Sequence, residues 1–435
     1  MTHPTAGVTI DPGPPMSRWA VTDLVLPGLR RNPRRAHLWV STVLGKHIPV
    51  APSRIIGAAE DLADLISRAL DPDGLDPHPD RSVRQVGVFG FAETATGLGH
   101  CVARRLHAEI YLHSTRRAVP ALPTVARFQE GHSHATDHLV VPTSRDIAET
   151  AGTWVLVDDE ISTGVTALAA VDALRGTLRA RRWVVASLVD LRTEADRRRC
   201  DDRARAMGVD LTFVALAGGS AVVPDDLVAR VAALDPAVES TPHSASVAGE
   251  ATVLRQPWPA HVPDGGRHGV LHGDGPAFEA GVAEAARSLG TVLDPQQPVV
   301  VIGHEEFMYL PLRIAAALET DGWSVTSQTT TRSPAVVTTE SGYPLRNGVE
   351  FTAPEPDSAG GRHGTRHLYN AAADDASTQR VLVIDPAADT PALAAPGGVV
   401  DVLTRSGRDL VVLVAGGTSF DALARSRAIA AGGHR

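Results

Sequence analysis

Residues 154–166 of this 435-residue chain are WVLVDDEISTGVT, and they carry the strongest signal of fold in the sequence. The stretch begins as an apolar strand, which delivers two adjacent carboxylates, Asp158 and Asp159, to its carboxyl end. A turn of small hydroxyl residues and glycine follows, and a helix begins after it. This order is typical of an α/β fold with a mostly parallel sheet, in which ligands bind at the carboxyl ends of the strands.

The turn has the chemistry of an anion site. Backbone N–H groups at the start of a helix, together with the hydroxyls of Ser162, Thr163 and Thr166, favour a bound phosphate, and so does the helix dipole. Asp158 and Asp159 lie one step upstream, where they can accept hydrogen bonds from vicinal ribose hydroxyls. The pattern therefore fits a ribose 5-phosphate. The alternative is an acidic pair that caps a strand or holds a metal in another α/β fold.

The same alternation of strands and helices continues on both sides of this stretch. In the first half we expect strands at 85–91, 109–113 and 183–191 and helices at 98–106 and 165–178. In the second half we expect helices at 276–289 and 310–319 and strands at 298–303, 323–331, 380–385 and 410–415. The predicted fold class is therefore α/β in both halves.

Length and composition indicate two domains. The chain is too long for one ordinary core, and 43% hydrophobic with 21% charged residues is the composition of a folded protein. Residues 236–266 are rich in Pro, Ser, His and Gly and lack periodicity, which predicts a linker. The expected organisation is a flexible leader at 1–18, a first domain at 19–235 and a second domain at 267–435.

Charge and residue usage exclude several classes of partner. The net charge is −9 and the pI is near 6.0, so the chain has no general attraction for nucleic acid. Two cysteines are too few for a disulfide framework, and no apolar run approaches the roughly 20 residues that cross a membrane. The first 18 residues lack the apolar core of a signal peptide. The sequence therefore predicts a cytoplasmic protein without nucleic-acid or membrane partners.

The second half repeats short motifs of the first in the same order. The pairs are GFAET at 90–94 with GHEEF at 303–307, STRRAV at 114–119 with TTRSPAV at 330–336, HATDHL at 134–139 with HGTRHL at 363–368, and VLVDD at 155–159 with VLVID at 381–385. This order indicates a duplicated domain, although two unrelated halves could also match by chance. In the copy, Ile384 replaces Asp158 and Pro391 removes an N–H from the phosphate turn, so we expect no second phosphate site. Four residues remain there for packing, for another ligand or for completing the first site: Glu306, Arg332, His363 and His367.

The stretch at 154–166 resembles the signature of the type I phosphoribosyltransferases, which is an apolar strand, two acids, two variable residues and a Ser/Thr–Thr–Gly–x–Thr turn. With Thr331-Arg332-Ser333-Pro334 in the second half, the chain is similar to phosphoribosyltransferases that carry a C-terminal TRSP domain and are associated with bacterial tellurite-resistance gene clusters. The resemblance implies transfer of ribose 5-phosphate from phosphoribosyl pyrophosphate (PRPP) to an unidentified small-molecule acceptor, with Mg²⁺ as cofactor and pyrophosphate as product. It further implies synthesis of a nucleotide-like metabolite for stress resistance, and a homodimer is among the expected assemblies.

The resemblance also assigns a role to each part of the expected site. Asp158 and Asp159 hold the ribose and, directly or indirectly, Mg²⁺. Six further residues are assigned to binding the ribose 5-phosphate part of PRPP: Glu160, Ser162, Thr163, Gly164, Val165 and Thr166. Pyrophosphate and its departure are assigned to Glu93, Thr94, Ala95, Thr96, Gly97, Arg116 and Arg117. A mobile catalytic loop at 128–138 contributes His132 and His134, and a variable hood that covers the acceptor includes Arg34, Arg35, His37, Lys46 and His47.

Other interpretations of these residues stay open. Residues 93–97 could be a plain helix N-cap, Arg116 and Arg117 could be solvated surface, and the hood residues could be structural caps. The histidines of 128–138 could bind a transition metal or belong to a polar hairpin without a chemical task. For the whole chain, the alternatives are a PRPP-sensing regulator without transfer activity, and a phosphatase or hydrolase, for which the sequence identifies no base.

Overall fold

Strands and helices alternate through both halves of the chain. The computed structural model describes residues 5–71, 86–117, 122, 124–129, 137–144, 151–178, 180–234, 247–357, 361–370 and 377–432. The first half contains β1 (Thr9–Pro12), α1 (Val21–Leu24), β2 (Val25–Leu29), β3 (His37–Ser41), α2 (Pro52–Leu70), β4 (Val86–Gly90), α3 (Ala95–Arg105), β5 (Ile110–His113), β6 (Ala126–Gln129), β7 (Asp137–Val140), β8 (Thr153–Ile161), α4 (Val165–Leu178), β9 (Arg182–Asp190), α5 (Glu194–Met207), β10 (Asp210–Val222) and α6 (Leu227–Ala232). The second half contains β11 (Ala251–Arg255), β12 (Val270–Leu271), α7 (Gly275–Gly290), β13 (Val299–Gly303), α8 (Tyr309–Thr320), β14 (Val325–Thr329), β15 (Gly348–Thr352), β16 (Thr365–Tyr369), β17 (Gln379–Ile384), α9 (Val399–Thr404), β18 (Leu410–Val414) and α10 (Phe420–Gly432). Within these described ranges, no helix has both the length and the apolar character needed to cross a membrane.

The first half is built on a seven-stranded sheet in the order β1-β10-β9-β8-β4-β5-β12. Its five central strands are parallel, whereas β1 and β12 pair antiparallel at the two edges. Parallel sheets are normally covered by helices on both faces, and the central strands are accordingly buried, with Trp154 of β8 and Trp183 of β9 fully enclosed. The strand that carries the acidic pair, β8, is therefore central in the sheet.

The second half has a five-stranded, all-parallel sheet in the order β11-β18-β17-β13-β14. Four of its strands correspond one to one with the first sheet, because β18-β17-β13-β14 has the connectivity of β9-β8-β4-β5. An antiparallel hairpin also follows in each half, β6–β7 after β5 and β15–β16 after β14. The second half is thus an α/β unit of its own, and the shared connectivity supports the duplication that the motifs indicate.

The segment between the halves differs from the expected linker. Residues 251–255 form β11, which pairs with β18 at the edge of the second sheet, and β12 pairs with β5 of the first sheet. Because β11 has only five residues, most of them exposed, its side chains lack the alternation that identifies a strand in sequence. The second unit therefore includes residues that the sequence assigns to the linker. Residues 235–246 lie outside the described residues.

One buried apolar cluster contains residues of both halves. Helix α3 of the first half packs against α8 of the second, and Leu98, Val102, Leu310 and Ile314 belong to the same buried apolar cluster. Burial of a large aliphatic side chain contributes roughly 1.5–3 kcal/mol. This packing brings the loop after β4 into contact with the loop after β13.

Candidate active site between the two halves

Loops from both halves enclose a cavity of about 130 Å³ at the carboxyl ends of β4 and β8. The first half lines it with Arg30, Arg35, Leu38, Trp39, Lys46, His47, Phe91, Ala92, Glu93, Thr94, Arg116, His138, Asp158, Asp159, Glu160 and Thr166. The second half lines it with Thr331, Arg332 and Ser333. The cavity therefore brings together residues from every part of the site that the sequence predicts, and it adds the TRSP motif.

Asp158 and Asp159 lie side by side near the end of β8 and line the cavity. The backbone N–H of Asp159 donates to Asp158 Oδ1 over 2.9 Å. The next residue, Glu160, forms an ion pair with Arg35. Burial nevertheless raises the pKa of Glu160, because loss of hydration outweighs the attraction of Arg35. This strand end thus presents two carboxylates to the cavity and keeps a third one in an ion pair.

The turn after β8 forms a second, smaller cavity of about 70 Å³ at the start of α4. Its lining includes Ser162, Thr163, Gly164, Val165 and Thr166. Gly164 has a φ of 81°, and a Cβ at this position would lie 2.5 Å from Cys200 Sγ, so the turn requires glycine. The structure places all five residues of the predicted phosphate turn around one concavity, where backbone N–H groups favour an anion.

The loop after β4 carries Glu93, whose carboxylate lies among cations from both halves. Arg332 Nε is 3.3 Å from Glu93 Oε1, Lys46 Nζ is 3.9 Å from Oε2, and the Thr331 hydroxyl donates to Oε2 over 3.2 Å. Burial alone would raise the pKa of Glu93, but Lys46, Arg332 and Arg116 outweigh it and hold the pKa below its ordinary value. Glu93 is therefore ionised and fixes these cations at the cavity.

The residues after Glu93 are mostly buried at the start of α3, next to the cavity. Ala95, Thr96 and Gly97 are buried in the first turn of α3. The Thr96 hydroxyl donates to the backbone carbonyl of Glu306 over 2.9 Å. Thr94 occupies the N-cap position but makes no capping hydrogen bond, and its hydroxyl accepts from Lys46. Residues 95–97 thus pack against the second half and do not line the cavity, whereas Thr94 does, and the assignment of 95–97 to pyrophosphate stays a prediction.

Arg116 and Arg117 contact different groups. Arg116 lines the cavity, where its Nε donates to the Ala92 carbonyl over 3.1 Å. Arg117 does not line the cavity, because its guanidinium is buried in ion pairs with Asp385 at 2.7 Å and Glu355 at 3.1 Å. The structure therefore places Arg117 with two acids of the second half, and its assignment to PRPP stays a prediction.

The catalytic loop predicted at 128–138 is described only at its two ends. His138 lies in β7, where its Nδ1 is 2.8 Å from Ser114 Oγ and its ring stacks on Phe128. His132 and His134 lie outside the described residues. The assignment of these two histidines to catalysis therefore stays a prediction.

Contacts between the halves are reciprocal around two equivalent glutamates. The Thr331 hydroxyl of the second half donates to Glu93, and the Thr115 hydroxyl of the first half donates to Glu306 over 2.7 Å. Burial would raise the pKa of Glu306, but Arg267, 2.6 Å away, and Arg117 hold it well below its ordinary value. Each half therefore anchors the loop of the other through a buried carboxylate.

The counterpart of the phosphate site in the second half is closed. Asp385, which corresponds to Asp159, is paired with Arg117. Residues 391–393 form a 3₁₀ turn where the first half begins an α-helix. His363 contacts a backbone carbonyl, and His367 stacks on a tyrosine ring. These contacts engage Asp385, His363 and His367 with protein groups, and the expected lack of a second phosphate site stays a prediction.

The hood, residues 25–50, contributes a wall that the sequence predicts only in part. Arg35, Lys46 and His47 line the cavity, whereas Arg34 and His37 do not. Sequence reasoning missed Arg30, Leu38 and Trp39, which line it as well. Trp39 is only 4% exposed. In the sequence, a buried aromatic residue that lines a cavity looks the same as an aromatic residue of the core, which is why Trp39 was missed.

A buried histidine next to the site makes stability depend on pH. Burial lowers the pKa of His113 from 6.5 to about 4. Between these values the unfolded chain binds a proton that the folded chain does not, so stability is complete above pH 6.5 and falls as the pH drops toward 4. A drop from pH 6.5 to 5 should cost about 2 kcal/mol at this residue, at about 1.4 kcal/mol for each pH unit.

Urea unfolding at pH 7 and pH 5 measures the loss. His113→Gln should reduce this loss of stability by about the same amount, whereas the control His261→Gln, at an exposed position, should leave it unchanged. Equal pH dependence of stability in wild type and His113→Gln would show that His113 does not contribute to it.

Comparison with known proteins identifies two successive family matches. The phosphoribosyl transferase profile matches residues 24–220, and the profile of the TRSP domain, which lies C-terminal to that transferase, matches residues 264–403. No curated protein matches the chain.

Among solved structures, adenine phosphoribosyl transferase from Trypanosoma brucei is 12% identical, with 46% of this chain and 81% of that chain covered and a TM-score of 0.30. The enzyme from Rhodothermus marinus is 17% identical, with 44% and 94% covered and a TM-score of 0.29. The chain belongs to the phosphoribosyl transferases that carry a TRSP domain on the C-terminal side.

Proposed function

We propose that the protein transfers the ribose 5-phosphate group of PRPP to a small-molecule acceptor. The bond from ribose C1 to a pyrophosphate oxygen breaks, and its electron pair leaves with pyrophosphate. A nucleophilic atom of the acceptor bonds to C1 and loses a proton. The observation that carries the proposal is the convergence of the acidic pair, the phosphate turn and three cations on adjoining cavities. Membership of the transferase family supports the same reaction.

The proposed roles follow the charge of each part of PRPP. The turn at 162–166 binds the 5-phosphate through backbone N–H groups and hydroxyls. Asp158 and Asp159 accept hydrogen bonds from the ribose hydroxyls. Three cations around Glu93 bind the pyrophosphate and stabilise the charge that develops as it leaves: Lys46, Arg116 and Arg332.

The donor groups of the site fit a Mg²⁺ ion. Asp158 and Asp159 present carboxylate oxygens to the cavity, and Mg²⁺ prefers oxygen ligands from one or two carboxylates together with substrate phosphates and water. In this proposal these two residues hold the ion, directly or through water. When bound, the ion offsets negative charge on the pyrophosphate.

A PRPP-sensing regulator is the main alternative, and one assay distinguishes it from a transferase. Purified protein is incubated with PRPP, Mg²⁺ and a panel of nitrogen heterocycles, while pyrophosphate release and the mass of the products are followed. A transferase releases pyrophosphate and adds ribose 5-phosphate to one compound. PRPP binding with no release in any mixture would favour the regulator, and release with free ribose 5-phosphate as the only product would favour a hydrolase.

Arg332 provides a test of the part that the second half plays. Arg332→Gln should raise the KM for PRPP by about 10- to 100-fold, because a hydrogen bond to a charged group contributes about 1.5–3 kcal/mol. Steady-state kinetics measures the effect, and thermal unfolding shows whether the variant is folded. Arg287→Gln, at an exposed helix position, is the matched control. An unchanged KM in folded Arg332→Gln would remove Arg332 from the pyrophosphate site.

The finer parts of the proposal rest on the resemblance carried by the TRSP motif. They are the synthesis of a nucleotide-like metabolite and a link to tellurite or other stress resistance. A cytoplasmic location, which we propose from residue composition, and a homodimer complete the proposal. Loss of tellurite tolerance on deletion of the gene, with rescue by the wild-type copy and none by an Asp158→Asn/Asp159→Asn copy, would support the link; unchanged tolerance would contradict it.

A further inference from the structure

Three buried polar atoms without a hydrogen-bond partner belong to residues that line the cavity. They are Trp39 Nε1, His47 Nε2 and Ser333 Oγ, and none has a partner among the described residues. A buried polar group that lacks a partner costs about 1–3 kcal/mol, so native structures seldom tolerate several of them together. Their grouping around one cavity indicates a polar ligand. We call these three residues, together with Arg30 and Arg35, the hood subsite.

The hood subsite is built jointly by the two halves of the chain. The backbone N–H of Arg31 donates to the Pro334 carbonyl over 2.9 Å, and that of Val336 donates to the Leu29 carbonyl over 2.8 Å. These bonds attach the last residue of the TRSP motif and the segment after it to the end of β2 and the residues that follow it. Ser333 is therefore held at a fixed position relative to the hood.

Most of the hydrogen-bonding groups in this subsite are donors. An indole N–H and the guanidinium groups of arginine can only donate. Arg35 is fixed in place, because its Nε donates to His37 Nε2 over 2.9 Å and its Nη2 contacts Glu160. Arg30 lies against it, with its Nε donating to the Arg35 carbonyl over 2.9 Å. A matching ligand must supply oxygen atoms that accept hydrogen bonds, and two neighbouring guanidinium groups favour a carboxylate over a neutral carbonyl.

The other lining groups define the rest of the ligand. Leu38 and the ring of Trp39 give the subsite an apolar wall, which suits a planar ring. Glu160 Oε2 is buried without a partner among the described residues and supplies an acceptor for an N–H group. A ring that carries both an N–H group and a carboxylate satisfies both sets of atoms.

We propose that the hood subsite binds the phosphoribosyl acceptor through a carboxylate, and that the acceptor is a small planar nitrogen heterocycle with an acid group. Ser333 of the second half takes part in its recognition. This inference rests on the proposed transferase function and specifies its second substrate. It gives the TRSP domain a direct part in substrate selection.

Matched pairs of acceptors that differ only in the carboxylate provide the test. The full-length protein is assayed for pyrophosphate release and for equilibrium binding, with PRPP and Mg²⁺ present, using orotate against uracil and nicotinate against nicotinamide. We expect at least one acid to bind at least about tenfold more tightly than its neutral partner, which corresponds to about 1.4 kcal/mol. Arg35→Gln should abolish this preference, and Ser333→Ala should weaken binding of the acid several-fold. Arg287→Gln should retain the preference.

The outcomes separate this inference from the proposed function. Titration with PRPP alone is carried out on the same samples. If PRPP binds but neither acid binds more tightly than its neutral partner, the carboxylate subsite is wrong and the transferase proposal stands. If PRPP does not bind, both proposals are wrong. Should Arg35→Gln fail to fold, Ser333→Ala decides the matter, since acid binding equal to wild type would exclude Ser333 from the subsite.

Discussion

Asparagine in place of both Asp158 and Asp159 should lower PRPP-dependent pyrophosphate release by about 10²–10⁴-fold. A hydrogen bond to a charged group contributes about 1.5–3 kcal/mol, and the variant weakens two such bonds to the ribose. Because about 1.4 kcal/mol corresponds to a tenfold change in rate, the two losses combine to this range. Asparagine keeps the shape of the side chain, so the effect reports the loss of charge. A coupled assay for pyrophosphate measures the rate.

A matched control exists elsewhere in the chain. Asp201 and Asp202 are also adjacent, but they are exposed on α5 and lie outside the cavity. The Asp201→Asn/Asp202→Asn variant should therefore keep the wild-type rate. Retention of more than about a third of the rate by the Asp158→Asn/Asp159→Asn variant would mean that the acidic pair contributes less than about 1 kcal/mol to the reaction and does not hold the ribose.

Methionine in place of Arg117 should lower the free energy of unfolding by about 3–5 kcal/mol. Arg117 is buried in ion pairs with Asp385 and Glu355. Burial raises the pKa of Glu355, but His304 and, to a smaller extent, Arg117 lower it to about 2. Without the guanidinium, two carboxylates remain buried with their charge less compensated. Methionine keeps much of the side-chain volume, so the loss reflects charge. Urea unfolding at pH 7 measures it.

Two further variants show whether the effect comes from the buried acids. Arg175→Met removes an exposed ion pair with Asp172 and should change stability by less than about 1 kcal/mol. Neutralising both acids in the Arg117→Met background, as Asp385→Asn and Glu355→Gln, should recover part of the lost stability. Arg117→Met with wild-type stability would show that the ion pairs of Arg117 with Asp385 and Glu355 contribute nothing to folding.

Buried parallel strands and the turn that follows them are the parts of the fold that local sequence predicts well. The apolar runs at 153–157 and 183–191 correspond to β8 and β9, because strands covered on both faces need continuous apolar residues. The helix predicted at 165–178 matches α4, since glycine and hydroxyl residues mark its start. The acidic pair and the phosphate turn are identified for the same reason, because their chemistry is contained in a few consecutive residues.

Contacts between the halves cannot be predicted in this way. Arg117 and Asp385 are 268 residues apart, and their pairing depends on how α3 and α8 pack. Arg116 and Arg117 are neighbours with the same side chain, so sequence alone cannot tell which of them reaches the cavity. The part played by Ser333 depends on backbone hydrogen bonds between the hood and the second half. These features follow from tertiary packing, and no local pattern carries them.

Isothermal titration of the full-length protein with PRPP and Mg²⁺ shows directly whether the cavity between the halves is a PRPP site. We expect the wild type to bind PRPP with a Kd in the micromolar range, about −8 kcal/mol in free energy. The Asp158→Asn/Asp159→Asn variant, folded by thermal unfolding, should bind at least about 100-fold more weakly, which corresponds to the loss of about 3 kcal/mol. No binding by the wild type at millimolar PRPP, or equal affinity in the two proteins, would contradict the assignment of this cavity to PRPP.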